Sequence, residues 1–257
     1  MSTPVNDIGP PRPLPAISPA GKHPPYSPLQ GTFFADGCAT ILYKGSTFGK
    51  DQALMAPDLN NSRLALLENV SGFILLGGKS SRYGSNKALV EIGGARLIDR
   101  VAGVMKSIFH RVVLLTNTPE EYAYLRMPMV EDLVKGFGPM GGIYTGLMTL
   151  RDEFGFFVAC DMPFLSESLI RHMVEVRGDF DAVVPRMDWM LEPLHALYSK
   201  KCLPVIQEAV GRNQHQILKC FARLRVRYVD EEELRLWDPD LRSFFNINKP
   251  QDLPGQA

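Results

Sequence analysis

Residues 72–116 read GFILLGGKSSRYGSNKALVEIGGARLIDRVAGVMKSIFHRVVLLT. An apolar run, GFILL at 72–76, gives way to two glycines and a polar stretch, and a second apolar run, RVVLLT, closes the segment at 111–116. Neither run alternates polar with apolar residues, which is the pattern of strands covered on both faces. Between them, Leu97, Ile98, Val101, Val104, Met105 and Ile108 recur with a period near 3.6 and make one packed helical face. Strand, helix and strand in that order form a βαβ unit.

Outward from this unit the alternation continues. FFVAC at 156–160 and DAVVP at 181–185 read as further strands, and helical patterns run over 142–151, 166–177, 200–210 and 214–222. The order βαβαβαβ predicts an α/β fold: a three-layer αβα sandwich around a mostly parallel, Rossmann-like sheet. Ligands of such folds lie outside the carboxyl ends of the strands, so chemistry is sought in the loops that follow them. The domain is predicted to span residues 70–257. Residues 1–69 read as an extension, because GPPRPLPAISPAGKHPPYSPL offers few residues to bury and predicts disordered chain. Within it, FFADGCATILYKGSTF suits a short hairpin and SRLALLENV a single helical turn.

Composition excludes several classes of function. The chain has 257 residues, 45% hydrophobic and 22% charged, enough for one large domain or two small ones with a sizeable core. Lys plus Arg and Asp plus Glu both number 28, so no overall field draws nucleic acid or an anionic membrane, and an anionic ligand must be held locally. Cys38, Cys160, Cys202 and Cys220 are scattered without zinc spacing, which predicts reduced thiols. No apolar run approaches the roughly 18 residues that span a bilayer, and no leader pattern opens the chain. A cytoplasmic protein is expected.

The loop after the first strand has the parts of an oxyanion site. Gly77 and Gly78 allow close approach of backbone N–H groups, Ser80 and Ser81 add donors, and Arg82 and Lys87 bring charge. It is neither the dinucleotide fingerprint GxGxxG nor the P-loop GxxxxGK[ST]. The same residues, taken alone, also suit a tight turn with solvated basic side chains. Asp161, in CDMP at the end of a strand, is placed to hold Mg²⁺ or to serve as a turn residue before Pro163. Asp132 precedes GFGPMGGIYTGL, where a glycine-lined helix start can receive a negative group. Asn246 and Asn248 flank Ile247, so on extended chain both amides face one side. Thr116 and Asn117 end a strand at the same edge, whereas His195, in EPLHALY, reads as a core residue. His215, Arg212 and Lys219 suit either an anionic ligand or solvent.

LLGGKSSRYGSNKALVEIGGARLIDRV resembles the GGxSxRMGxDK signature of the MobA family of molybdenum cofactor guanylyltransferases, nucleotidyltransferases with a GT-A-like fold. Four more blocks follow in the family's order: ED with GPMGGIYTGL at 131–147, FVACDMPFLS at 157–166, EPLHALY at 192–198 and FFNINKPQDL at 244–253. The resemblance covers residues 70–253 and is silent on the first 69. Tyr83 and Asn86 depart from the usual Met and Asp. The sister cytidylyltransferases tend to read LAAG and lack GPMGG, so the likeness favours guanine.

The resemblance implies transfer of GMP from GTP to molybdenum-molybdopterin, giving the guanine dinucleotide cofactor and pyrophosphate. It implies Mg²⁺ as cofactor with Asp161 as its ligand, and catalytic roles for Lys87, Arg82 and Asp161. Leu75, Leu76, Gly77, Gly78, Lys87, Asp132 and Asp161 are implied for the nucleotide; Gly141, Gly142, Asn246 and Asn248 for pterin or phosphate. Pterin-delivering proteins and molybdoenzymes would be transient partners. The alternatives are a cytidylyltransferase on the same pterin, a sugar-phosphate nucleotidyltransferase and a non-catalytic nucleotide or pterin binder.

Overall fold

The computed structural model describes residues 65–76, 86–188 and 190–247. In chain order the strands are β1 (Val70–Leu75), β2 (Glu91–Ile92), β3 (Ala95–Arg96), β4 (Val112–Leu115), β5 (Met129–Val130), β6 (Phe154–Ala159), β7 (Ala182–Met187), β8 (Met190–Leu191), β9 (His195–Ser199) and β10 (Val226–Asp230). The α-helices are α1 (Leu97–Ile108), α2 (Pro139–Thr149), α3 (Glu167–Glu175), α4 (Leu203–Gly211) and α5 (Glu231–Trp237). Short 3₁₀ turns at Lys87–Leu89, Pro119–Leu125 and Ile217–Arg223 connect them.

The main sheet runs β10-β7-β9-β6-β1-β4-β5, with β8 paired to β7. All six residues of β1 are buried at its centre, where it pairs in parallel with β4 and β6, and β5 adds in parallel to β4. Beyond β6 the direction changes. Strand β9 is antiparallel to both β6 and β7, and β10 pairs in parallel with β7. The expected mostly parallel sheet is therefore present with one reversed strand inside it, made by EPLHALY, a block without the long apolar run of its neighbours.

Successive residues of a strand face opposite sides, and each side has its own core. Val70, Ile74, Phe156 and Val158 pack with Ile98, Val101 and Met105 of α1, Leu169, Ile170 and Met173 of α3, and Leu234 of α5. Phe73, Leu75, Phe157, Ala196 and Tyr198 pack with Met140, Ile143 and Leu147 of α2 and Ile206 of α4. Three layers result. Close approach is bought by glycine: a Cβ on Gly72 would lie 2.8 Å from Met105, and one on Gly146 would lie 2.3 Å from the Phe157 ring. Helix α3 starts where the Ser166 hydroxyl accepts from Leu169 N at 3.3 Å.

Most elements expected from periodicity are found with ends shifted by a few residues. The pattern at 214–222 instead forms the 3₁₀ turn Ile217–Arg223. Residues 65–69 form no helical turn, because Leu67 N donates to Ile108 O at 2.8 Å and bridges in parallel to Phe109. The hairpin suggested by FFADGCATILYKGSTF lies outside the described residues. Among the described residues no helix is long and apolar enough to cross a membrane.

Candidate active site

The carboxyl ends of β1, β4 and β6 are tied into one edge. Leu76 N donates to Leu115 O at 2.9 Å and Cys160 N to Leu75 O at 3.2 Å, so the exits of the three strands are fixed relative to one another. Leu75 is buried against α2, and Leu76 packs on the opposite core. Gly77, Gly78 and Arg82 lie outside the described residues, as does Asn248.

On the β4 side, Asn117 and Asp132 hold each other. Asn117 Nδ2 donates to Asp132 Oδ2 at 2.8 Å, and Asp132 N donates to Asn117 Oδ1 at 3.2 Å. The pair presents one carboxylate oxygen in a set direction at the edge where β4 and β5 end. Gly141 and Gly142 form the first turn of α2 directly beneath. A Cβ on Gly142 would sit 2.8 Å from Leu75 Cδ2 and 4.0 Å from Asp132 Oδ1, so its bareness brings the helix start against both. Gly138 caps this helix at φ 58°, a conformation that favours glycine, and Pro139 follows at the first position, where no N–H is needed. Next to it Phe137 stacks on His215 with ring centroids 4.2 Å apart, while Arg212 pairs with Glu208 at 2.7 Å. His215 and Arg212 are thereby engaged by the protein itself.

On the β6 side, Asp161 follows the strand in a turn. Burial pushes its carboxyl above the usual carboxylate range, and its own backbone hydrogen bond and the Lys87 charge pull it back. Lys87 opens the 3₁₀ turn Lys87–Leu89, and its charge also acts on the Cys160 thiol. That thiol is pushed up to about 12, chiefly by burial and further by Asp161, so it stays protonated and is no nucleophile. The last described residues close the edge: Ile247 N donates to Asp161 O at 2.9 Å with its side chain buried, and Asn246 beside it is exposed.

One acidic neighbour is invisible in the sequence. The β6–β9 register pairs Val158 with His195, and Ala159 N donates to Leu194 O at 3.0 Å. Carried two residues further, it sets Glu192 across from Asp161. Glu192 Oε1 accepts from Leu194 N at 3.0 Å, and burial, followed by the nearby Asp161 charge, pushes its carboxyl up. Only recognition of EPLHALY as a reversed strand returning to β6 signals this contact. His195, by contrast, is fully buried between the Phe156 and Phe244 rings. Burial pushes it down to about 4, and both ring nitrogens lack a hydrogen-bond partner. It is a neutral core residue, though not a hydrogen-bonded one.

The edge thus gathers a lysine, a partly desolvated carboxylate with a second beside it, an oriented carboxylate 15 residues after Asn117 and a glycine-lined helix start. Among the described residues no three His, Cys, Asp or Glu side chains converge as a metal cage. One or two hard carboxylate oxygens, completed by phosphate and water, are what Mg²⁺ commonly takes, so the donor set fits such a cation.

Residues 72–229 match the MobA-like NTP transferase domain. A molybdenum cofactor guanylyltransferase of Desulfosudis oleivorans is 39% identical over 189 residues, 73% of this chain and 94% of that protein. One of Syntrophotalea carbinolica is 32% identical over 184 residues, 71% and 88% of the two chains. Among solved structures, molybdopterin-guanine dinucleotide biosynthesis protein A of Archaeoglobus fulgidus aligns with a TM-score of 0.62 at 31% identity, over 71% of this chain and 94% of that one. The chain belongs to the MobA-like NTP transferases, the family of the molybdenum cofactor guanylyltransferases.

Proposed function

We propose that this guanylyltransferase works through Lys87 and Asp161 at the meeting of β1 and β6, with Mg²⁺ as its cation, while GMP passes from GTP to molybdenum-molybdopterin. The observation that carries the reading is that Asp161, on whose carboxyl the Lys87 charge acts, and the Asn117–Asp132 pair both stand on the edge where the exits of β1, β4 and β6 are tied together. A lysine and a carboxylate set apart from bulk water suit a triphosphate and its cation better than they suit one another alone.

In this reading Asp132, held by Asn117, orients the guanosine part, and Leu75 and Leu76 form the floor beneath it. Lys87, with Arg82 and the amides of Gly77 and Gly78, holds the triphosphate. Asp161 would hold the cation, with Glu192 behind it. The cation, when bound, neutralises charge on the phosphate oxygens. A terminal phosphate oxygen of the pterin substrate bonds to the α-phosphorus as the bridge to the β-phosphate breaks, and pyrophosphate leaves. Gly141, Gly142, Asn246 and Asn248 would line the approach of pterin and phosphate. No protein nucleophile is required, because the acceptor phosphate is the attacking group; Cys160 and His195 are silent for the reasons given above. Positioning and charge neutralisation carry the rate.

Catalysis is confined in this reading to residues 70–257, in the cytoplasm, with pterin-delivering proteins and molybdoenzymes as transient partners. Removal of residues 1 to about 65 is expected to leave turnover unchanged; loss of activity in a soluble truncated protein would contradict it. The test of function is pyrophosphate release from GTP, CTP and ATP with molybdenum-molybdopterin present or withheld. Release only with GTP and the pterin supports the reading. Preference for CTP would move the chain to the cytidylyltransferases, and binding without release would make it a carrier.

A further inference from the structure

We propose that Asn86 is the positioning residue of Lys87, and that its amide does so by bridging to Glu121 and Tyr122 beyond β4. The inference rests on the reading of Lys87 as a triphosphate ligand. Asn86 is also one of the two residues, with Tyr83, at which the chain departs from the resembled signature, standing in place of its Asp.

Every polar atom of its side chain is engaged. Asn86 Oδ1 accepts from Ala88 N at 3.1 Å and so caps the turn that Lys87 opens, while Asn86 O accepts from Leu89 N at 3.1 Å. Its Nδ2 donates to Tyr122 Oη at 2.6 Å and to Glu121 Oε2. Tyr122 is buried and Glu121 exposed, so the amide joins a fixed anchor to a surface charge. The turn bearing Lys87 is thereby tied to the segment after β4, and the lysine is held on the side facing β6.

An aspartate at position 86 can accept from Ala88 N but has no proton for Glu121. Two carboxylates would then face each other at hydrogen-bond range, and the like charges would push the turn away. The residue closest to the family signature is thus expected to be the worse one here. The amide matches the carboxylate supplied by Glu121.

The experiment is a double-mutant cycle of wild type, Asn86→Asp, Glu121→Gln and Asn86→Asp/Glu121→Gln, with KM for GTP, kcat and Tm measured for each. Asn86→Asp is expected to raise KM for GTP about five- to tenfold with kcat little changed, the size of roughly one ordinary net hydrogen bond. In the double variant the facing charge is gone, and KM is expected to return to near that of Glu121→Gln alone. Glu121→Lys, at an exposed site, breaks the same link without touching the cap and is expected to raise KM about threefold, as exposed charge contacts allow. Wild-type KM in Asn86→Asp, or a double variant as impaired as the sum of the singles, overturns the proposal. A shift in Tm with KM unmoved leaves Asn86 a purely structural link and overturns it also. Failure of wild type to release pyrophosphate from GTP would instead sink the parent reading, and is seen before any variant is made.

Discussion

The two halves of the main sheet are built on opposite rules. In β5, β4, β1 and β6 all strands run the same way, so every carboxyl end and every following loop falls on one edge. In β9, β7, β8 and β10 directions mix, and β9 enters the sheet at that edge, bringing the turn at Glu192 to Asp161. The parallel half can offer only loops that leave the sheet. The reversed strand offers a segment that arrives. Asp161 lies at the seam, with Lys87 delivered from one side and Glu192 from the other. Binding of the nucleotide is expected to depend on the parallel half, and the chemistry on the seam.

The largest effect is expected at the seam. Asp161→Asn should lower kcat about a thousandfold, the size of several kcal/mol of lost charge neutralisation. Because its buried carboxyl is pushed up rather than down, the same change should leave Tm unchanged or higher. A fall in both would make Asp161 structural. Next comes the parallel half: Lys87→Ala should weaken GTP binding by calorimetry about ten- to a hundredfold, the worth of one or two charge-assisted hydrogen bonds. Unchanged affinity would remove Lys87 from the nucleotide site.

Gly142→Ala should act more mildly and through packing, since the added methyl meets Leu75 at 2.8 Å. About 1–2 kcal/mol of overpacking would lower Tm by several degrees. The smallest effect belongs to the mixed half. Glu233 accepts from His172 at 2.8 Å and from Arg227 at 2.7 Å, and although burial opposes it these bonds hold its carboxyl below the usual 4.5. A depressed carboxylate stabilises the fold above its unfolded value and loses that contribution as pH falls below about 4.5. Glu233→Gln is therefore expected to destabilise the fold slightly at pH 7, by about 1 kcal/mol or less, and by less at pH 3. Equal loss at both values would rule out an ionic origin.

The parallel half was legible because its signals are local. GFILL, RVVLLT and FFVAC are apolar runs buried on both faces, and the face of α1 repeats at 3.6 residues, so each element could be read from its own residues. Of the mixed half only β7, read from DAVVP, was legible in this way, and of the parallel half β5 was not. Strand β9 carries His and Ser among its five buried residues, and its direction is set by pairing with β6 and β7 rather than by any residue in it. Met129–Val130 is too short to announce itself, and its two residues are only half-buried. Candidate site residues followed the same division. Lys87, Asp132 and Asp161 stand out because each follows a recognisable strand or glycine loop. Glu192, Glu121 and Tyr122 reach the site through register and tertiary contact, and an isolated reading of their neighbours contains no sign of them. The departure of Asn86 from the signature's Asp has its counterpart in Glu121, which its amide faces, and nothing near Asn86 in the sequence marks that partner.

The central claim, that Asp161 holds the cation alongside a nucleotide placed by Lys87, is tested most directly by binding rather than turnover. Mn²⁺ affinity, followed by its electron spin resonance signal with and without GTP, should rise sharply with GTP in wild type. In Asp161→Asn that GTP-dependent rise should vanish while GTP itself still binds by calorimetry. Retention of the full rise in Asp161→Asn would contradict the account and place the cation elsewhere.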